Sequence, residues 1–177
     1  MALIIEDGTG LSDSQSYAAA ADLRAYAALR GVTVPSDDGA CEVLLIAAMD
    51  YLKQYDDLPN GMRFWIGAGK LLPDQALAWP RTCVTKDGEA KPSNYMPQEL
   101  ANGQCALAIE AVKADIQPTR LPTDQGQVVS ESVGGAVSVT YANWGRTLTT
   151  AAFAKADAQL RPIMYRAGLT SIVATRY

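Results

Sequence analysis

The stretch from Pro97 to Ile116 constrains the fold more than any other part of the chain. Pro97 suits the first turn of a helix, where the N–H that proline lacks has no partner to lose, and Glu99 follows where the helix dipole favours an acid. Further on, Leu107, Ala108, Ile109, Ala111 and Val112 leave the helix apolar nearly all round. Such a helix has to be covered on every side, so it is the expected centre of the fold, and the rest of the chain must supply the elements that surround it. Pro118 and Pro122 flank its exit.

The covering elements are legible from their period. A helix over 17–30 puts Leu23, Tyr26 and Leu29 on one side, and Gly31 is placed to end it. A second, over 40–55, aligns Cys41, Leu45, Ala48, Leu52 and Tyr55, with Asp38 as N-cap and Glu42 in the first turn. A fourth, over 150–166, carries Phe153, Leu160, Ile163 and Met164. Pro162 inside it predicts a kink or a restart, and Gly168 closes it. Between these lie a short strand at Leu3–Ile5, a turn-rich loop EDGTGLSDSQS and a break at Pro59-Asn60-Gly61. Residues 62–72 read as irregular, Asp74–Ala78 as a helical turn ended by Trp79-Pro80, and 82–96 as loop.

Past Pro122 the character changes. VVSESVGGAVSVTY alternates β-branched and small polar residues around Gly134-Gly135, which is a hairpin signal over 127–142. Pairing across those glycines sets Val137, Val139 and Tyr141 on one face with Val128, Ser130 and Ser132; Val129, Glu131, Val133, Ala136, Ser138 and Thr140 take the other. Neither face is strongly apolar, so the ribbon needs a surface to lie on. Residues 169–177, LTSIVATRY, remain as an extended C-terminal arm in which Leu169, Ile172 and Val173 stand beside one charge, Arg176. The expected fold is therefore mainly α: a small bundle of about four helices with one β-hairpin, forming a single domain over 1–168, followed by the arm. Apolar residues make up 49% of the 177, enough for such a core.

Composition removes several chemistries. The chain has no His, so Ser-His-Asp and Cys-His sites and the commonest zinc ligand are absent. Cys41, Cys83 and Cys105 fit no metal or redox spacing and read as free thiols. Cys83, two residues from Arg81, invites a reactive-thiol reading, but no base or orienting group accompanies it, and a buried or half-buried structural Cys is expected. GAGK at 67–70 lacks the first Gly and the final Ser or Thr of a phosphate loop. The expectation is a protein without catalytic residues, cofactor or metal, and with no apolar run of membrane-spanning length.

Charge is unevenly placed. Residues 1–60 carry ten acids and three bases, residues 61–117 six of each, and residues 118–177 three acids and six bases. Solvated faces account for this in a lone chain; in an assembly, one copy's acidic part can meet a neighbour's basic part. Arg63-Phe64-Trp65 and Trp144-Gly145-Arg146 join aromatics to guanidinium groups as single-strand binders do. Core-anchored rings with solvated Arg side chains are the better explanation of both, and the net charge of −4 opposes DNA binding by the free chain.

Several stretches, in order, resemble one family: LIIEDGTG…SDSQSYA, DQALAWPRTCV, YMPQELANGQCALAI, VVSESVGGAVSVTYA and AQLRPIM, with LAWPR (77–81) and the Ser130-Glu131-Ser132…Gly134 segment the most specific. They resemble the head–tail connector, or adaptor, proteins of tailed phages and prophages, some of which carry the label of a DnaT-like single-stranded DNA-binding protein. The resemblance covers nearly the whole chain, and it implies a structural virion protein of the neck. Such a protein is a monomer in solution, made in the bacterial host cytoplasm. It docks on the portal protein and forms a ring about twelve-fold where its symmetry follows the portal. The ring extends the channel for double-stranded DNA, without sequence-specific contact, and offers a surface to tail or head-completion proteins. The alternative implied by the label is a single-stranded DNA-binding protein. On this reading Trp79, Pro80 and Arg81 form a structural joint: Trp79 plugs the helical core, Pro80 stops the preceding turn, and Arg81 bridges to nearby carbonyls or an acid. Ser130, Glu131, Val133, Gly134, Gly135, Val139 and Tyr141 mark an assembly hairpin. Leu169, Ile172, Val173 and Arg176 mark an arm that docks on the portal or a neighbouring subunit.

Overall fold

A computed structural model describes residues 3–56, 65–117 and 153–165, and the backbone of 128–132 and 138–141. The elements run α1 (Ala20–Ala28), α2 (Asp38–Lys53), β1 (Gly69–Lys70), β2 (Arg81–Thr82), β3 (Thr85–Lys86), β4 (Glu89–Ala90), α3 (Gln98–Lys113), β5 (Val128–Ser132), β6 (Ser138–Tyr141) and α4 (Ala154–Leu160), which passes into a 3-10 turn at Arg161–Ile163. The fold is mainly α, with small antiparallel strand pairs. The helices belong to one compact unit, and the β5–β6 hairpin to a second, Gln117–Ala152.

α3 is the centre of the helical unit and packs against α1, α2 and α4. Every residue from Gly103 to Ile109 is buried, so the helix is covered on all sides there. The cover ends one turn earlier than expected: Ala111 is half-buried and Val112 is 44% exposed. Gly103 is the contact that lets α4 come close. A Cβ at this position would meet Leu160 Cγ at 2.7 Å, so only a residue without one admits the fully buried Leu160.

α1 is shorter than its periodicity suggests. Tyr17 and Ala18 are buried but not helical, because their N–H groups are taken by side chains, Gln104 Oε1 and Ser16 Oγ, instead of by a helix ladder. Asp22 accepts the Ala19 N–H at 2.8 Å and fixes the true start. Leu23 and Tyr26 are buried as expected, but Leu29 is 85% exposed. It sits at the C-cap, where Gly31 (φ 64°) reverses the chain, and Val32 packs against the core beyond it.

In α2 the stripe of Cys41, Leu45, Ala48 and Leu52 is buried, whereas Tyr55 lies past the helix end and is half-buried. The N-cap is Asp37, which accepts the Ala40 N–H at 2.9 Å; Asp38, one residue on, pairs with Arg24.

Two stretches read as irregular or loop contain short ladders. Gly69 and Lys70 pair with Thr82 and Arg81. Thr85 and Lys86 pair with Ala90 and Glu89 around Asp87-Gly88, both at positive φ, the geometry that suits a two-residue hairpin turn. Strands of two residues have no period to detect. Conversely, Leu3–Ile5 forms only one parallel bridge, Ile5 to Ser16. The fourth helix changes to a 3-10 turn at Pro162, which has no N–H for an α-helical bond. That turn is tied back by the Ile66 N–H donating to Ile163 O at 3.1 Å.

In the second unit, β5 and β6 pair with each other, Val128 with Tyr141 as expected. A register shift between Val128 and Ser130 then changes the remaining partners: Ser130 meets Thr140, Glu131 meets Val139, and Ser132 meets Ser138. Val139 therefore stands opposite Glu131, not in a row with Ser130 and Ser132, because one extra residue in a bulged strand moves every later pair by one. Val133, Gly134, Gly135, Gly168 and the arm residues Leu169, Ile172, Val173 and Arg176 lie outside the described residues, as do Arg63, Phe64, Trp144 and Arg146.

Candidate functional site

The segment leading to Trp79 is not a helical turn. It is a loop wrapped around the buried side chain of Gln75, whose amide donates to Leu77 O at 2.7 Å and Pro80 O at 3.0 Å while its oxygen accepts the Leu72 N–H at 3.0 Å. One side-chain amide thus supplies the bonds that a helix would have supplied locally. The loop is pinned outward as well: the Ala76 N–H donates to Leu11 O, and the Leu71 N–H to Pro80 O.

Trp79 is fully buried, and Pro80 beside it is likewise enclosed, joined to it by a cis peptide bond. The Trp79 N–H donates to the Tyr17 hydroxyl at 3.2 Å, and burial pushes the Tyr17 phenol well above its ordinary value, so it stays neutral. The indole Nε1 has no hydrogen-bond partner among the described residues. Arg81 reaches back, with Nε donating to Ile66 O at 3.0 Å and Nη1 to Ala78 O at 3.3 Å. The guanidinium therefore ties the 66–70 strand region to the Trp79 loop through carbonyls.

This arrangement continues into α3. Gln104 is completely buried; it accepts the Tyr17 N–H at 2.9 Å and donates to Ser16 Oγ at 2.8 Å and Leu45 O at 3.1 Å. Ser16, Tyr17, Leu45, Trp79 and Gln104 thus link the N-terminal segment, α2, the Trp79 loop and α3 in one set of bonds. A second buried polar group organises the N-terminal loop. The Glu6 carboxylate accepts N–H bonds from Gly8, Gly10 and Leu11 and the Ser14 hydroxyl, all at 2.9–3.0 Å. Gly8 sits at φ 95°, and a Cβ there would lie 2.5 Å from Asn94 O, so the loop also seats against the segment before α3.

Sequence reading passed over Glu6, Gln75 and Gln104. Their signal was present in one case only: Gln104 is the one polar side chain in the buried run Gly103–Ile109 of α3, and such a group has to be bonded.

Cys83 departs from expectation, being exposed. It has φ 53° at the corner between β2 and β3, and it lines an open hollow with Ile66, Gly67, Thr85, Met164 and Tyr165. Cys41 and Cys105 are buried, and burial pushes the Cys105 thiol up to about 12. No group of three or more His, Cys, Asp or Glu side chains able to hold a metal occurs among the described residues.

A separate cleft of about 370 Å³ opens where the end of α1 meets α3 and α4. Val32, Ala106, Ile109 and Ala158 give it apolar walls, and Arg30, Glu110, Lys155 and Gln159 give it polar edges. The Arg30 guanidinium lies 3.3 Å over the centre of the Tyr26 ring and donates to Tyr26 O at 3.1 Å.

No curated protein and no solved structure matches the chain. A family model described as "Putative DnaT-like ssDNA binding protein" matches residues 1–177, the whole of the chain. The chain belongs to that family.

Proposed function

We propose that the protein is a non-enzymatic structural component of a tailed-phage particle, a head–tail connector that docks on the portal, forms a ring and presents a surface to the tail. The observation that carries this reading is the division of the chain into a helical unit and a separate small unit at Gln117–Ala152 whose two described strands pair with each other. A two-stranded ribbon is at best marginally stable by itself, so contact with another subunit is the physical reason to keep one. Two further features support it. The LAWPR and Ser130–Gly134 segments carry the resemblance to connectors, and the acids concentrated in 1–60 and the bases concentrated in 118–177 are of opposite sign, which suits contact between neighbouring copies.

The family description favours a second reading, binding of single-stranded DNA. One experiment separates the two. A nonsense mutation in the coding sequence is introduced into a phage that carries it, and DNA synthesis and particle morphology are followed together. Loss of a connector leaves phage DNA synthesis normal while filled heads and free tails accumulate unjoined. Loss of a replication-type single-strand binder depresses DNA synthesis and lowers the number of filled heads. The second pattern would overturn the connector reading.

A further inference from the structure

The cleft at the junction of α1, α3 and α4 matches the needs of one ligand class, and we propose that it is where this protein holds a single strand of DNA, a base entering the cleft and the flanking phosphates lying on its cationic edge. The inference rests on the single-strand reading of the family.

Three features point to that ligand. The first is a stacking plane. Arg30 is exposed, and its guanidinium is laid flat over the buried Tyr26 ring and held there by its bond to Tyr26 O. The phenol covers one face of the guanidinium of this exposed residue, and bases stack on guanidinium planes as well as on rings. The second is shape. A cleft of about 370 Å³ walled by Val32, Ala106, Ile109 and Ala158 is large enough to admit a base and too apolar to favour an extended sugar–phosphate run inside it. The Gln159 amide and the Glu110 carboxylate at its edge offer a donor–acceptor pair and an acceptor for base edges. The third is local charge. Glu110 is flanked by Lys113 at 2.9 Å and Lys155 at 4.0 Å, and both lysines are largely exposed. With Arg30 they make three cations beside one carboxylate, a locally positive group on a chain whose net charge is −4. Phosphates are the complementary partner. A double helix does not fit, because its bases are stacked away from such a cleft.

The test uses the full-length protein and a fluorescein-labelled 20-mer of deoxythymidine, with anisotropy read from low to moderate salt. The expected result is salt-dependent binding, weaker for a duplex of the same length. Arg30→Ala should weaken binding about tenfold, as loss of one stacked base does. Lys155→Glu, on a side chain 78% exposed and therefore harmless to the fold, should weaken binding and reduce the salt slope by about 0.7 for the lost phosphate contact. Lys53→Ala, on α2, should change neither. If the wild-type protein binds no oligonucleotide at low salt, the single-strand reading itself falls, and the cleft proposal with it. If the wild type binds and both cleft variants bind equally well, the reading stands and this site is wrong.

Discussion

Trp79 offers the sharpest test of the architecture, because its two halves make separable predictions. Its ring is completely enclosed, so Trp79→Ala removes the largest fully buried side chain of the described residues. A buried Trp removes about 200 Å² from water, which at about 25 cal/mol per Å² gives about 5 kcal/mol as an upper bound. Measured large-to-small changes of this kind fall at about 3–5 kcal/mol, since the site collapses in part. For a chain of this size each kcal/mol moves the midpoint by about 2–4 °C, so the melting temperature should fall by about 6–20 °C. Trp79→Phe behaves differently. The indole Nε1 has no partner among the described residues, so the phenyl ring deletes volume but breaks no bond, and it relieves a desolvated donor. The loss should stay below about 2 kcal/mol, well under the alanine value. Urea unfolding followed by far-ultraviolet circular dichroism measures both variants on one scale. An alanine variant within about 1 kcal/mol of wild type would refute the plug. A phenylalanine variant as damaged as alanine would show that the indole N–H is bonded after all.

Gln104→Leu keeps the volume but leaves the buried Tyr17 N–H unpaired and removes the second bond to Leu45 O, and should cost about 1–3 kcal/mol by the same urea measurement; a neutral result would show that the Tyr17 N–H finds another partner. Gly103→Ala forces Leu160 to move and should destabilise by about 1–3 kcal/mol, whereas an ordinary helix glycine replaced by alanine stabilises, so the sign alone decides. The Lys86–Glu99 pair predicts a pH window. Burial raises the Glu99 carboxyl, but the Lys86 hydrogen bond, a backbone bond and the lysine charge outweigh it, and the net shift is down from 4.5. Lys86 is raised above 10.5, first by that hydrogen bond. The acid's contribution is present above its unfolded value and lost as pH falls through the folded one; the lysine's is present below about 10.5 and lost as pH rises past its raised value. Glu99→Gln should therefore flatten the acid limb of a stability–pH curve, and an unchanged limb would exclude the pair as its source. Ellman's reagent at pH 8 should titrate one fast thiol in the native protein, Cys83, with Cys41 and Cys105 appearing only on unfolding; Cys83→Ser should abolish the fast phase.

The parts of the fold legible in advance were those written in a long period. α2 and α3 each hold sixteen residues, and apolar spacing located both to within a few positions. Trp79 could be placed from its neighbours Leu77 and Ala78, because an aromatic between apolar residues and a proline has few places to go. What escaped was structure stabilised by single side chains. Whether 74–78 is a helical turn or a loop depends on Gln75 reaching Leu72, Leu77 and Pro80, and one glutamine has no pattern. The true start of α1 depends on Gln104, 87 positions away, taking the Tyr17 N–H. Short ladders such as β1–β2 and β3–β4 fail for a related reason: their partners are fixed by tertiary contact and by a turn at Asp87-Gly88, with too few residues to alternate.

The same distinction bears on function. Local sequence placed the hairpin, but not its register, because a bulge is decided by which pairs the two strands can make once closed. The cleft was invisible to any linear reading, since Arg30, Glu110 and Lys155 lie far apart in the chain and only the packing of α1, α3 and α4 brings them together. Net charge describes the whole chain and does not report such a local gathering. A total of −4 argues against a chain coated with phosphate-binding groups, yet three cations gathered at one junction act locally, and solvent screens them from distant acids within about 10 Å at 0.1 M salt. An acidic protein can therefore carry a DNA contact without being a general DNA binder. In a ring, copies of one such contact would be repeated around a common axis, so weak sites in each subunit could hold a strand that no single subunit retains. The consequence is measurable: oligonucleotide affinity should rise steeply with assembly state, and a monomer and a ring that bind equally per site would rule that coupling out.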